Sequence, residues 1–77
     1  MPTIFEYRGY AFRIHTNDHP PAHVHIVGPE AWVVLELESR RIIRAGGLKQ
    51  SQQNKLIAVA TRERRRLLAA WGRIHEG

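Results

Sequence analysis

The chain has no cysteine, so disulfides and cysteine-ligated zinc are closed to it, and a reducing, cytoplasmic compartment is expected. None of its four prolines lies beyond Pro29, so the C-terminal part lacks the residue that most strongly breaks a helix. The longest apolar runs, Ala31–Leu35, Leu56–Ala60 and Leu67–Trp71, fall far short of the roughly 20 residues a membrane span needs, and no membrane partner is expected. Met1-Pro2-Thr3 offers no basic n-region ahead of an apolar h-region, so no signal peptide is expected. Acidic residues are scarce after Glu38. Residues 1–39 carry two basic and five acidic side chains, whereas residues 40–77 carry ten and two, giving −3 against +8. That asymmetry favours an anionic partner for the second half, either nucleic acid or an acidic protein, though a solvated, solubilising face has the same composition. What is present suffices for one small domain over residues 1–77: Leu, Ile, Val and Phe make up 20 of the 77 residues, above the range of disordered chains.

Residues 1–44 read as strands. Thr3–Arg8 and Tyr10–Thr16 are rich in aromatic and branched residues and flank Gly9 as a tight hairpin would. Phe12 and Ile14 then fall on one face, with Arg13 and His15 on the other. Asn17–Ala22 is a polar loop stiffened by Pro20 and Pro21. His23–Val27 alternates again, with Val24 and Ile26 opposite His23 and His25. Ala31–Glu38 places Val33, Leu35 and Leu37 opposite Trp32, Glu36 and Glu38, and Arg40–Arg44 supplies a short fifth strand.

Residues 51–76 read as one long covering helix with Ser51 as its N-cap, nearly 40 Å long at about 1.5 Å per residue. Leu56, Ala60, Leu67, Trp71 and Ile74 share an apolar stripe about 60° wide. Lys55, Arg62, Arg66 and Arg73 share a second, basic stripe, the candidate surface for nucleic acid or a partner. Arg64 falls on the apolar side, where its head must snorkel to the sheet edge or meet a carboxylate.

Strands first and a helix last predict an α+β, two-layer domain, an antiparallel sheet of four to five strands under one C-terminal helix. The face away from the helix then displays Arg13, His15, His23, His25, Trp32, Glu36 and Glu38. Pairing of the strands flanking the loop sets His15 opposite His23 and Arg13 opposite His25, with Asp18 and His19 in the loop between.

Three chemistries fit that inventory. The histidines bond to nearby carboxylates and water as an ordinary polar surface. Alternatively, two or three imidazoles and a carboxylate suit zinc, but no helical H-E-x-x-H occurs and Arg13 opposes a dication, so no metal and no cofactor is expected. The third is general acid–base catalysis, in which imidazoles exchange protons while an arginine holds a phosphate. Metal-independent ribonuclease chemistry needs a base for the 2′-hydroxyl, an acid for the leaving oxygen and a cation for the developing charge. His15, His23, His25 and Arg13 are the candidate catalytic residues for it.

The run Asn17-Asp18-His19-Pro20-Pro21-Ala22-His23-Val24-His25 resembles the signature of a small prokaryotic family, domain of unknown function 4160. Met1-Pro2-Thr3-Ile4 and Leu67-Leu68-Ala69-Ala70-Trp71 with His75 are similar to its ends, and Ala22 stands where a third proline is common. The resemblance implies a small bacterial or archaeal protein encoded beside a second small protein, an arrangement that looks like a toxin–antitoxin pair. It implies no catalytic assignment. Two expectations follow: a toxin-like ribonuclease or RNA binder, or a non-catalytic interaction module docking a small acidic partner protein encoded nearby.

Overall fold

A computed structural model describes residues 3–76. Five strands, β1 (Thr3–Tyr7), β2 (Tyr10–Arg13), β3 (His23–Val27), β4 (Trp32–Glu36) and β5 (Ile42–Gly46), are followed by helices α1 (Gln50–Arg62) and α2 (Arg64–Glu76). The strands pair in chain order as one antiparallel sheet, so the α+β architecture expected from the sequence holds. Arg8 and Gly9 turn β1 into β2 with both φ angles positive, as a two-residue hairpin of matching twist requires. An irregularity in β5 between the pairs Val34↔Arg44 and Leu35↔Ile42 leaves Ile43 without a place in the ladder, and its side chain is exposed.

The period-two pattern sorts the strands as expected. Phe12, Ile14, Val24, Ile26, Val33, Leu35 and Leu37 are all buried, and Leu56, Val59, Ala60, Leu67 and Ala70 of the helices close over them. Trp71 and Ile74, expected in that core, are only half-buried at its border.

The single covering helix is instead two helices that meet at Glu63. Two side-chain contacts bracket the break. The Thr61 hydroxyl donates back to the Ile57 carbonyl at 2.8 Å, a bond that bends helices, and Arg64 Nε donates to the Leu37 carbonyl at 3.0 Å. The bend lets α1 and α2 each contribute to one core. It also answers the placement of Arg64, whose half-buried side chain ends on a backbone carbonyl at the end of β4 rather than on a carboxylate. The N-cap is Lys49, two residues before the expected Ser51, with the Lys49 N–H donating to Gln52 Oε1 at 3.3 Å. Among the described residues no helix is long and apolar enough to cross a membrane.

Candidate functional site: an imidazole cluster at the end of β3

His23 and His25 lie two residues apart on β3, so both project from the face opposite Val24 and Ile26. Arg13 pairs with His25 across the β2–β3 ladder, the register expected from the alternation. Beyond Arg13 the chain leaves the strand and the Asp18 N–H donates to the His15 carbonyl at 3.3 Å. That turn carries the Asp18 carboxylate back over β3. His25 Nε2 lies 2.9 Å from Asp18 Oδ2, and His23 Nε2 lies 3.1 Å from the same oxygen. His15, expected opposite His23, lies instead on His25, its ring parallel within 2° at a centroid distance of 3.7 Å.

The helix layer enters the site as well. The His23 ring lies 5.2 Å from that of Trp71, and Trp71 stacks on His75 one turn later at 3.8 Å. Four of the five histidines and one tryptophan thus form a ladder of neighbouring rings, His15–His25–His23–Trp71–His75. The expectation that this face stands clear of the C-terminal helix therefore fails at His23. The cause is the bend, which brings the border residues of α2 to the end of the sheet. Trp71 and His75 are the site residues that sequence reasoning missed, although their i, i+4 spacing puts them on one helix face. His19 is exposed and belongs to none of these contacts.

Hydrogen-bond direction fixes part of the chemistry. A carbonyl only accepts, so His23 Nδ1 must carry the proton that it donates to Pro21 O at 2.8 Å. His23 Nε2 then faces Asp18 either as a second N–H or as a bare lone pair, and a lone pair facing a carboxylate oxygen at 3.1 Å is repulsive. The 3.1 Å contact between these two atoms is therefore a place for a proton or another donor. For the Asp18 carboxyl, burial acts to raise the pKa, but the hydrogen bond from His25 and the charges of His23 and His25 outweigh it and hold the group below its ordinary value. His15 goes the other way from an acid: burial, then the neighbouring charge of His25, hold its pKa below the usual 6.5. One imidazole is thus kept neutral beside a pair bound to a carboxylate. Donor atoms of His15, Asp18 and His25 lie within 4.8 Å of one another, close enough for a shared cation to be considered.

The proposed basic stripe is changed by the bend, which divides it between α1 (Lys55, Arg62) and α2 (Arg66, Arg73). All four side chains are exposed. Arg66 is already engaged: it donates to the Ile4 carbonyl at 3.3 Å, lies 5.0 Å over the Phe5 ring, and sits 3.8 Å from Glu63. Arg62 lies 3.7 Å from the same glutamate. Lys55 borders a pocket of about 170 Å³ with Tyr7, Arg8 and Tyr10, at the hairpin rather than beside the histidines.

The family model described as "Domain of unknown function (DUF4160)" matches residues 9–72, which includes the whole imidazole cluster apart from His75. No curated protein and no solved structure matches the chain.

Proposed function

The chain belongs to the family of domain of unknown function 4160, and we propose that it acts on RNA, as the toxin-like member of a two-protein system, through the imidazole end of its sheet. The observation that carries this reading is the convergence of two imidazole nitrogens on Asp18 Oδ2, beside a third imidazole that Asp18 does not hold. In phosphodiester transfer the 2′-hydroxyl attacks the adjacent phosphorus and the 5′ oxygen leaves. His15 takes the proton of the attacking hydroxyl, and an imidazole N–H of the His23–His25 pair beside Asp18 gives one to the departing 5′ oxygen. The positive charge held among Asp18, His23 and His25, with the Arg13 guanidinium from the neighbouring strand, meets the charge that grows on the phosphoryl oxygens. Exposed Lys55, Arg62, Arg66 and Arg73 supply contacts to further phosphates, and the same residues suit a small acidic partner protein.

The test uses partner-free protein with total cellular RNA and with structured tRNA. If about four phosphates are engaged, log affinity should fall against log salt with a slope near −3 for single strands. Replacing Arg62 and Arg66 together should flatten that slope by about one to one and a half units. His15→Ala should leave binding nearly intact and abolish cleavage, because the contact it removes matters only in the transition state. Absence of binding at about 50 mM salt, together with absence of histidine-dependent cleavage, would leave the protein-binding module as the better account.

A further inference from the structure

We propose that the open face of the sheet binds single-stranded RNA, with Trp32 as the platform on which the base next to the scissile phosphate stacks. This rests on the reading of the imidazole cluster as the phosphodiester site, and it specifies the form of RNA taken there.

The register lays the outward side chains in rows across the sheet. One row runs Ala11, Val27, Trp32, Gly46, and the next runs Arg13, His25, Val34, Arg44. Trp32 therefore has two diagonal neighbours, His25 on β3 and Arg44 on β5, each about 7–8 Å away and within reach of an aromatic or long side chain. The ribose and phosphate of one nucleotide span that distance. Gly46 makes room for the indole: a Cβ there would fall 2.7 Å from Trp32 Nε1 and 2.8 Å from Cε2. The ring thus leans across β5 and rests where that strand carries no side chain, while 43% of the residue stays exposed. Trp32 is alone in this. Phe5, Tyr7, Tyr10, Phe12 and Trp71 are all buried or half-buried against the core.

The charges on this face choose the occupant. Arg13 and Arg44 stand in the row beside Trp32, and among the described residues neither guanidinium is in an ion pair. The carboxylates lie farther off. Glu6 is opposite Ala11, three strands from Trp32, and Glu36 is opposite His23, four residues along β4. Glu30, in the turn before β4, borders a pocket with Gln52 of α1, on the helix side. An unpaired nucleotide offers an aromatic face and an anionic linkage side by side, the two features this surface is built to meet. A base inside a duplex has both faces covered by its neighbours and cannot reach Trp32, so the strand must be single. The base on Trp32 then carries one flanking phosphate toward Arg13 and His25, where the cluster acts on it, and the other toward Arg44.

Full-length protein is titrated, across a salt series, with a short labelled single-stranded RNA and with the same strand in a duplex. Both are 2′-O-methylated so that no cleavage intervenes. Trp32→Ala and Trp32→Leu should each weaken single-strand binding by about 5- to 150-fold. The slope of log affinity against log salt should not change, because stacking releases no counterions. Arg44→Gln, by contrast, should flatten that slope by about 0.7. Duplex binding should change less than about twofold in the Trp32 variants, with circular dichroism establishing that each is folded. The single strand should quench tryptophan emission in the wild type and lose most of that quenching in Trp32→Phe. Selective loss of single-strand binding at an unchanged slope establishes the platform, even if no RNA is ever cleaved. Wild-type affinity in both Trp32→Ala and Trp32→Leu overturns it and leaves the imidazole reading standing alone, and equal weakening toward duplex and single strand overturns it as well. If the folded wild-type protein binds neither this strand nor unmodified RNA at about 50 mM salt, both readings fall and the face is left to a partner protein.

Discussion

Leu67→Ala is the sharpest test of how the second helix is docked. Leu67 has 0% of its surface exposed and lies in the cluster formed by the inward residues of β2, β3 and β4. Truncating a fully buried leucine costs about 2–5 kcal/mol, and the value within that range depends on how far the surroundings collapse into the space. Here collapse is restrained. Just before Leu67, Arg64 is tied to the Leu37 carbonyl and Arg66 to the Ile4 carbonyl, so the start of α2 is anchored to two separate strand regions and cannot sink freely. A loss of about 3–4 kcal/mol is therefore expected. A domain of 77 residues has a total stability of only about 4–12 kcal/mol. With a urea m-value near 1 kcal/mol/M, the midpoint followed by far-ultraviolet circular dichroism should fall by about 3 M, and at the lower end of that stability range the variant is partly unfolded without denaturant. Leu68→Ala, one position on and half-buried, should cost less than half as much. A Leu67→Ala loss under about 1 kcal/mol, or a larger loss at Leu68, would mean that α2 presents a different face to the sheet.

Gly9 and Gly47 both have positive φ, 85° and 77°, but differ in surroundings: a Cβ on Gly9 meets open space, whereas one on Gly47 falls 2.5 Å from the Glu30 carbonyl oxygen. By thermal denaturation Gly9→Ala should cost about 1–2 kcal/mol, and Gly47→Ala about 3 kcal/mol or more, because a backbone atom must also shift. Trp71→Ala should cost about 1–2.5 kcal/mol rather than the 3–5 of a fully buried tryptophan, and should move the proton resonances of both His23 and His75, which its ring touches. In metal-free protein, His15 should titrate below 6.5 by proton NMR. The unfolded chain then takes that proton first, so His15 contributes a loss of stability that begins as pH falls below 6.5 and levels off below its folded pKa. Because burial is the larger cause, removing the charge of His25 should restore its midpoint only in part.

The sheet was legible because its signal is short-range. Alternation over Phe12–Ile14, Val24–Ile26 and Val33–Leu37 assigned seven inward residues, and all seven are buried. The same alternation set Arg13 opposite His25, as the ladder has it. The helix break was not legible, because neither proline nor glycine marks it. It sits between Thr61 and Arg64, whose partners are one turn back and 27 residues back along the chain, and the second of these exists only in the tertiary structure. The site was half legible for the same reason. His15, His23 and His25 stand out by their crowding in the sequence, and Asp18 by its place among them. That His15 stacks on His25 depends on how the chain turns after β2, which no period encodes. Trp71 and His75 join through the position of α2, and a stripe drawn on one unbroken helix assigns Trp71 to the interior.

The placement of core and site on one strand explains why a domain this small can hold both. β3 is five residues long, and its alternate side chains do separate work: Val24 and Ile26 fill the interior while His23 and His25 converge on Asp18. A one-residue slip of β3 would drive two imidazoles into the core and expose two aliphatic side chains. The register that stabilises the domain is thus the register that assembles the site. The remaining polar partners come from the loop rather than from the sheet. Asp18 arrives on the turn after His15, and the Pro21 carbonyl orients His23 from two residues away. The Leu37 N–H donates to the Ala22 carbonyl at 2.9 Å, which extends the β3–β4 pairing to the last residue of the loop. That bond ties the loop to a residue whose side chain is in the core. The loop between β2 and β3 is therefore held at its start through His15, at its end through Leu37 and in its middle through Asp18. Its chemistry-bearing groups are preorganised by contacts that also belong to the fold, so substitutions that loosen Leu37 or Ile14 should be felt at the histidines before they are felt at the distant hairpin.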